Sequence, residues 1–386
     1  MSSQTPVPAG FRGVAGNIGI KDPKDDFFAV VSEVPAHVSA VFTRSRFAGP
    51  SVTLSRRCAA NGSARGVAVI ARNANVATGR IGDDHAREVQ ERVARAAGVA
   101  PEEILVASTG VIGRPYPIEK VRSYLDALPT DFPPADLDRA AAAMMTTDTR
   151  PKAASARIGK ATLTGIAKGV GMIEPDMATM LAWFFTDAEL EQPVLDEVFR
   201  RVVDRTFNAL SIDTDTSTSD SAAVFANGLA GPVDVAGFEE ALYEVALKLV
   251  RMIASDGEGA SKLIEVRVSG ARDDAQAKRV AKAVVNSPLV KTAVHGADPN
   301  WGRVVMAVGK CSDETDILPS RVRVHFGDVE TYPAEATDEV LERATRYLRG
   351  EEVVIGVDLG IAEGGFTAYG CDLTEGYIRI NADYTT

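Results

Sequence analysis

The 386-residue chain has few cysteines and no long hydrophobic run. A membrane-spanning helix needs about 18 or more consecutive apolar residues, and because no run reaches that length we expect no membrane span. Cys58, Cys311 and Cys371 form no CxxC pair, and an odd number of cysteines fits no disulfide framework. The start of the chain lacks the charged and then apolar pattern of a secretory signal. These features predict a cytoplasmic protein with reduced thiols.

The sequence also lacks runs of lysine and arginine. The chain carries 42 lysines and arginines against 53 aspartates and glutamates, which gives a formal net charge of −11. A protein that binds nucleic acid usually presents a basic face to the phosphates, and no cluster of lysine and arginine provides one here. The sequence therefore predicts no nucleic-acid partner. An acidic balance is typical of a soluble enzyme and mildly favours cationic substrates.

The common motifs for metals, nucleotides and serine nucleophiles are absent as well. There is no HExxH, no GxSxG and no Walker A loop. The segment 169–171 lacks the third glycine of a dinucleotide loop, and the acidic segment 213–217 lacks the glycine and glutamate that a calcium loop requires. No two of the histidines have metal-ligand spacing: His37, His85, His295 and His325. We therefore expect neither a metal nor a cofactor.

Apolar periodicity predicts a mixture of helices and strands. Phe238, Leu242, Val245, Leu249 and Met252 recur at steps of three and four residues, which is typical of an amphipathic helix. Further helices are expected at 83–97, 117–128, 137–145, 194–207, 274–285 and 338–348. Short apolar runs predict strands at 27–43, 67–71, 104–107, 264–268, 303–308, 322–326 and 353–359, with loops at 131–134 and 228–232. Because helices and strands do not strictly alternate, the pattern favours layered α/β or α+β architecture.

With those motifs absent, catalysis by a threonine hydroxyl remains possible. Threonines lie beside glycines at Thr109-Gly110 and Thr164-Gly165, they cluster at 146–149, and one occurs at Thr179. Most threonines in such settings cap turns, so these residues alone do not decide between a structural and a catalytic role.

The segment 168–181 is more specific. Its sequence, KGVGMIEPDMATML, resembles the KGxGMIxPxMATML signature of the ornithine acetyltransferase (glutamate N-acetyltransferase) family. The resemblance covers nearly the whole chain, from Gly10-Phe11-Arg12 to the last residue, through further blocks in the same order at 108–113, 146–149, 215–218, 256–260, 298–303 and 381–386.

This resemblance implies a self-cleaving enzyme. The family cuts its chain between the alanine and the threonine of the signature, which are Ala178 and Thr179 here. The products are an N-terminal chain of residues 1–178 and a C-terminal chain of residues 179–386. The implied fold is an N-terminal-nucleophile-like sandwich of sheets between helices with a smaller second α/β domain. The implied assembly is a dimer of cleaved pairs, an α2β2 heterotetramer.

The chemistry of an N-terminal threonine explains why cleavage is needed. A threonine hydroxyl is a weak nucleophile and requires an adjacent base. Cutting the preceding bond frees the α-amine of Thr179, whose unperturbed pKa of about 7.7–8.0 suits a general base near neutral pH. The first cut would use the same hydroxyl against the Ala178 carbonyl. Thr109 and Gly110 match the family's oxyanion hole, where a glycine backbone can approach a ligand closely.

The remaining site residues also come from the resemblance. Lys168 would bind a substrate carboxylate, although a solitary lysine is usually a solvated surface charge. Glu258 would bind the side-chain ammonium of ornithine. Thr146, Asn381 and Thr386 match further substrate contacts of the family.

The implied reaction has two steps. N-acetylornithine acetylates Thr179 and ornithine leaves, after which the α-amine of glutamate takes the acetyl group. Asp176, Glu174 and Ala107 depart from the commonest family residues and leave the range of donors and acceptors open. Three alternatives also remain: a bifunctional enzyme that uses acetyl-CoA, a relative serving an antibiotic pathway such as that of clavulanic acid, and an N-terminal-nucleophile amidohydrolase.

Overall fold

The computed structural model describes residues 4–20, 23–174, 180–333 and 336–383. Within these ranges the strands are β1 Phe11–Gly16, β2 Phe27–Ser32, β3 His37–Phe42, β4 Gly66–Ile70, β5 Ile104–Ser108, β6 Lys152–Ile158, β7 Ala161–Lys168, β8 Leu181–Glu189, β9 Ser221–Pro232, β10 Leu263–Ala271, β11 Arg323–Phe326, β12 Val329–Tyr332, β13 Glu352–Asp358 and β14 Gly364–Cys371. The α-helices are α1 Pro50–Cys58, α2 Gly79–Ala97, α3 Ile118–Asp126, α4 Leu137–Ala143, α5 Gln192–Arg205, α6 Val235–Ser255, α7 Asp274–Val285, α8 Pro288–His295, α9 Trp301–Gly309, α10 Asp338–Leu348 and α11 Glu375–Asp383.

Two sheets pack face to face in the larger part of the molecule. The first sheet has the strand order β1-β2-β4-β5, and the second has the order β3-β9-β8-β7-β6. Their facing sides form one core that includes Phe28, Val69, Trp183 and Phe225. Strands β2, β4 and β8 are buried on both faces, which accounts for their nearly continuous apolar sequences.

Helices cover the outer face of each sheet. On the first sheet, Val89 of α2 and Val121 of α3 share a core with Ile70. On the second sheet, residues of α5 and α6 pack against strand residues such as Phe184. The resulting order of helices, sheet, sheet and helices confirms the predicted sandwich of sheets between helices.

The third sheet forms a smaller α/β unit with a core of its own. Its strand order is β12-β11-β13-β10-β14. Ile264 and Val324 of this sheet pack with Val280 of α7, Val304 of α9 and Leu348 of α10. This arrangement confirms the expected second α/β domain.

Two local predictions were wrong. Residues 303–308 lie in helix α9 and not in a strand. The Asn300 side chain accepts a hydrogen bond from the Arg303 amide (3.2 Å) and caps the helix, and Val304, Ala307 and Val308 are buried at helical spacing. Residues 228–232 extend strand β9 to Pro232, past Gly228 and Gly231, which both have positive φ.

Candidate active site

Six residues predicted from the sequence line one pocket: Thr109, Gly110, Thr146, Lys168, Glu258 and Asn381. Thr109 and Gly110 follow β5, and Thr146 follows α4. Lys168 ends β7, Glu258 follows α6 and Asn381 lies in α11. The sandwich therefore brings together residues that are distant in sequence. Ala178, Thr179 and Thr386 lie outside the described residues, but Met180 and Leu181, which follow Thr179 in the sequence, line the same pocket.

Thr109 and Gly110 follow the carboxyl end of β5, which pairs in parallel with β4. The Thr109 amide donates to the Ile70 carbonyl (3.1 Å) and so extends the sheet by one residue. Gly110 has a φ of +129°, a backbone conformation that essentially only glycine adopts. A Cβ placed on Gly110 would lie 2.5 Å from Arg72 Cα. Glycine is thus required at this position both for its φ and for its close approach to the Arg72 backbone.

Lys168 is a buried lysine. Its side chain enters the pocket at the end of β7, where its Nζ donates to Thr146 Oγ1 (3.2 Å). Burial lowers the pKa of Lys168, and the charges of Asp148 and Asp220 oppose that effect. A buried ammonium that faces a pocket suits an anionic group of a ligand.

Asp148 binds the backbone of two segments that line the pocket near Lys168. Its carboxylate accepts from the Thr146 amide (3.1 Å) and the Gly169 amide (2.8 Å). Burial disfavours the charged form of Asp148, but the charges of Lys168 and Lys152 outweigh burial and lower its pKa. Asp148 therefore fixes the backbone next to two predicted substrate contacts, Thr146 and Lys168.

Lys152 links the Asp148 side of the pocket to the end of helix α6. Its fully buried Nζ donates to Asp148 Oδ1 (2.7 Å), to Asp256 Oδ2 (2.6 Å) and to the Arg150 carbonyl (3.3 Å). Asp256 also accepts from the amide of Thr149 (3.1 Å) and from its hydroxyl. Every donor of the Lys152 ammonium therefore has a partner.

Glu258 is an acidic residue of the pocket wall. The Thr147 hydroxyl donates to its Oε1 (2.8 Å), and Asn381 Nδ2 donates to its Oε2 (2.9 Å). A Cβ added at Gly171 would lie 2.5 Å from Glu258 Oε2, so the signature glycine makes room for this carboxylate. The predicted acidic contact is thus held in place by a threonine and an asparagine.

The sequence interpretation missed part of the pocket wall. Thr147, Ser217, Thr218, Ser219 and Asp220 line the pocket but were assigned no role. The signal was present for Thr147, Ser217 and Thr218, because 146–149 and 215–218 belong to the blocks that resemble the family, but Ser219 and Asp220 lie just outside them. Asp220 is of particular interest because it is a buried carboxyl group.

Glu174, one of the departures from the commonest family residues, is bound outside the pocket wall. Its Oε2 accepts from Ser211 Oγ (3.0 Å) and from Asn286 Nδ2 (2.6 Å). Immediately before it, the amides of Met172 and Ile173 both donate to the Asp213 carboxylate (2.7 Å each). These contacts hold the described end of the signature segment against the rest of the molecule.

A family model described as the ArgJ family matches residues 12–386. The chain belongs to the ArgJ family. It is 63% identical to a glutamate N-acetyltransferase, Oat2, of Streptomyces clavuligerus over 393 residues, which cover 100% of both chains. It is 55% identical to the arginine biosynthesis bifunctional protein ArgJ of Rhodococcoides fascians, over 98% of this chain and 94% of that protein. These matches confirm the resemblance on which the site was predicted.

One solved structure of the family is also similar. The crystal structure of the arginine biosynthesis bifunctional protein ArgJ of Bacillus halodurans is 40% identical, with a TM-score of 0.48, and the match covers 51% of this chain and 96% of that chain.

Among residues 4–20, 23–174, 180–333 and 336–383, no helix combines the length and the apolar character needed to cross a membrane.

Proposed function

We propose that this ArgJ family member transfers an acetyl group from N-acetylornithine to glutamate through an acetyl ester on Thr179. The chain first cuts itself between Ala178 and Thr179, and two cleaved pairs assemble as an α2β2 heterotetramer. The observation that carries the proposal is the convergence of Thr109, Gly110, Lys168 and Glu258 on one pocket. The name of the Streptomyces clavuligerus relative, glutamate N-acetyltransferase, supports the same reaction class.

The charges of the pocket fit the substrates. N-acetylornithine carries one carboxylate and one side-chain ammonium. Lys168 supplies a buried positive charge for the carboxylate, and Glu258 of the same pocket supplies a negative charge for the ammonium. Glutamate brings a carboxylate to Lys168 in the same way, so the two substrates occupy one site in turn.

Thr109 and Gly110 supply the oxyanion site. Attack on the acetyl carbonyl produces a tetrahedral oxyanion, which hydrogen-bond donors must stabilise. The Thr109 hydroxyl and the Gly110 amide are the donors at this position. The amine freed at Thr179 takes the hydroxyl proton during attack and passes it to the departing amide nitrogen. In the second step it takes a proton from the attacking nitrogen and passes it to Thr179 Oγ when the ester breaks.

Product analysis tests the reaction. Protein incubated with N-acetylornithine and glutamate is expected to form N-acetylglutamate and ornithine in equal amounts, with little free acetate. As a control, N-acetylnorvaline keeps the carboxylate and chain length but lacks the ammonium that Glu258 binds, so it should be a poor donor. Acetate released at the same rate with and without glutamate would indicate an amidohydrolase. A separate reaction with acetyl-CoA and glutamate alone tests the bifunctional alternative.

Substitution of Gly110 tests the oxyanion assignment. Gly110→Ala is expected to lower the transfer rate roughly 10²-fold or more, because the added Cβ meets the Arg72 backbone and must displace the amide that holds the oxyanion. Gly113→Ala is the matched control, since Gly113 also has a positive φ (+82°) but an added Cβ meets nothing within 4 Å. Equal loss of activity in the two variants would argue against a specific role for Gly110.

A further inference from the structure

Asp220 differs from the other carboxylates around the pocket. Glu258 and Asp148 each have hydrogen-bond donors on both oxygens. Asp220 is only 3% exposed, and among the described residues its Oδ2 has no hydrogen-bond partner. A buried carboxylate oxygen without a partner loses its hydration and gains no hydrogen bond in return, so it destabilises the fold. Such an oxygen in a pocket wall therefore points to a proton or a ligand that completes it.

Asp220 lies beside the residue that follows Thr179 in the chain. Strands β8 and β9 are parallel, with Ser221 opposite Leu181, and the Ser221 amide donates to the Met180 carbonyl (2.9 Å). Asp220 thus stands at the register position beside Met180, the residue that follows Thr179. Thr109, Gly110 and Lys168 line the same pocket.

The proposed reaction moves a proton that the assignments above leave without a carrier. The amide nitrogen of the donor must gain two protons to depart as an ammonium ion, and the hydroxyl of Thr179 supplies only one. Glutamate arrives with a protonated α-amine, which has no lone pair and cannot attack an ester until it loses a proton. The amine of Thr179 relays one proton between the threonine hydroxyl and the substrate nitrogen, so a second group must carry the other proton.

We propose that Asp220 is a further catalytic residue, which protonates the leaving amine of the donor and deprotonates the ammonium of the acceptor. The inference rests on the proposed function and deepens it. In the first half-reaction, the hydroxyl of Thr179 forms the ester bond and the bond between the acetyl carbon and nitrogen breaks. The departing nitrogen receives the hydroxyl proton through the amine of Thr179 and a second proton from the Asp220 carboxyl group, and ornithine leaves as an ammonium ion. In the second half-reaction, the Asp220 carboxylate takes one proton from glutamate, the nitrogen bonds to the acetyl carbon, and the bond to Thr179 Oγ breaks as a second nitrogen proton passes through the amine of Thr179 to Oγ.

The proton count closes over the full cycle. Donor plus protonated Asp220 gives ornithinium, acetyl-threonine and ionised Asp220, and the acceptor step restores the protonated form. Burial raises the pKa of Asp220 well above its usual value, while hydrogen bonds from Ser217 and the charge of Lys168 oppose the rise. A carboxyl group with a raised pKa can hold a proton until the donor step and regain one in the acceptor step, as a general acid and base near neutral pH must.

The test separates proton transfer from carboxylate binding by the choice of acceptor. Wild-type protein and Asp220→Asn are first checked for cleavage by mass and then acetylated with 4-nitrophenyl acetate, whose leaving phenolate needs no proton. Each acetyl-enzyme is mixed with saturating glutamate or with 2-aminooxypentanedioate. The second compound keeps both carboxylates, but its nitrogen is already unprotonated at neutral pH.

Asp220→Asn is expected to slow transfer to glutamate by about 10²–10⁴-fold and to change transfer to the aminooxy compound only a few-fold. Asp220→Glu, which keeps the proton-carrying group, should recover part of the glutamate rate. Asp187→Asn is the matched control, because Asp187 is also a buried aspartate of this sheet but accepts from the amides of Ala9 (2.9 Å) and Thr162 (2.6 Å). It should leave the ratio of the two rates unchanged.

Any other outcome contradicts either the role of Asp220 or the proposed function. Equal loss with both acceptors, or an Asp220→Asn chain that remains uncut or takes up no acetyl group, would overturn the assignment of Asp220 to the amine. Wild-type protein that forms no acetyl adduct from N-acetylornithine or from the ester would instead contradict the proposed function itself.

Discussion

Replacing Thr179 by alanine is expected to leave one uncut chain of 386 residues that transfers no acetyl group. Wild-type protein should give two fragments, residues 1–178 and 179–386. The variant lacks the hydroxyl that attacks the Ala178 carbonyl, and without the cut no α-amine is freed beside the nucleophile. Removal of an enzyme nucleophile costs on the order of 10⁶-fold in rate, so transfer should fall to the background. Intact mass under denaturing conditions and the product assay measure the two effects.

Two control variants make this result specific. Thr179→Ser keeps a hydroxyl and is expected to cleave, more slowly, and to retain part of the activity. Thr186→Val removes a buried threonine hydroxyl from strand β8, where it donates to the Thr162 carbonyl (2.8 Å). That change should cost about 1 kcal/mol of unfolding free energy but leave cleavage intact. A wild-type chain that transfers acetyl groups while remaining uncut would exclude the mechanism.

Local pattern was sufficient for several elements of the fold. Phe238, Leu242, Val245 and Leu249 predicted a helix and are all buried on one side of α6. The strand prediction at 303–308 was wrong. The two adjacent valines of this run favour a strand, whereas Asn300 caps a helix here. Helical spacing and a cap were both visible in the sequence, but a run of so few apolar residues fits either structure.

The site could be predicted only through the family blocks. No periodicity or spacing shows that Thr109 and Glu258 face one pocket, because that depends on how the sandwich and the smaller unit meet. Asp220 had no local signal of burial, since it lies in a stretch of aspartate, serine and threonine. Lys152 was missed for a related reason: a lysine in the sequence is usually exposed, and the aspartate that keeps this one buried, Asp256, lies on a distant helix end.

Lys152→Met is expected to be the most destabilising of the substitutions considered. The change removes the ammonium and leaves two buried carboxylates, Asp148 and Asp256, facing each other without it. Removing one partner of a buried ion pair typically costs about 3–5 kcal/mol. Because Asp148 also holds the amides of Thr146 and Gly169, the variant should in addition bind N-acetylornithine less tightly.

Urea unfolding measures the loss of stability, and the Thr179→Ala background keeps all samples as one chain so that fragment dissociation does not enter. Lys278→Met is the matched control, because Lys278 forms a partly exposed pair with Asp204 (2.6 Å) and should cost less than about 1 kcal/mol. Adding Asp256→Asn to Lys152→Met removes one uncompensated charge and should recover about 1 kcal/mol or more. If Lys152→Met proved as mild as the control, the buried ion pairs would contribute little, and the corner of the pocket would have to be held by the backbone contacts of Asp148 alone.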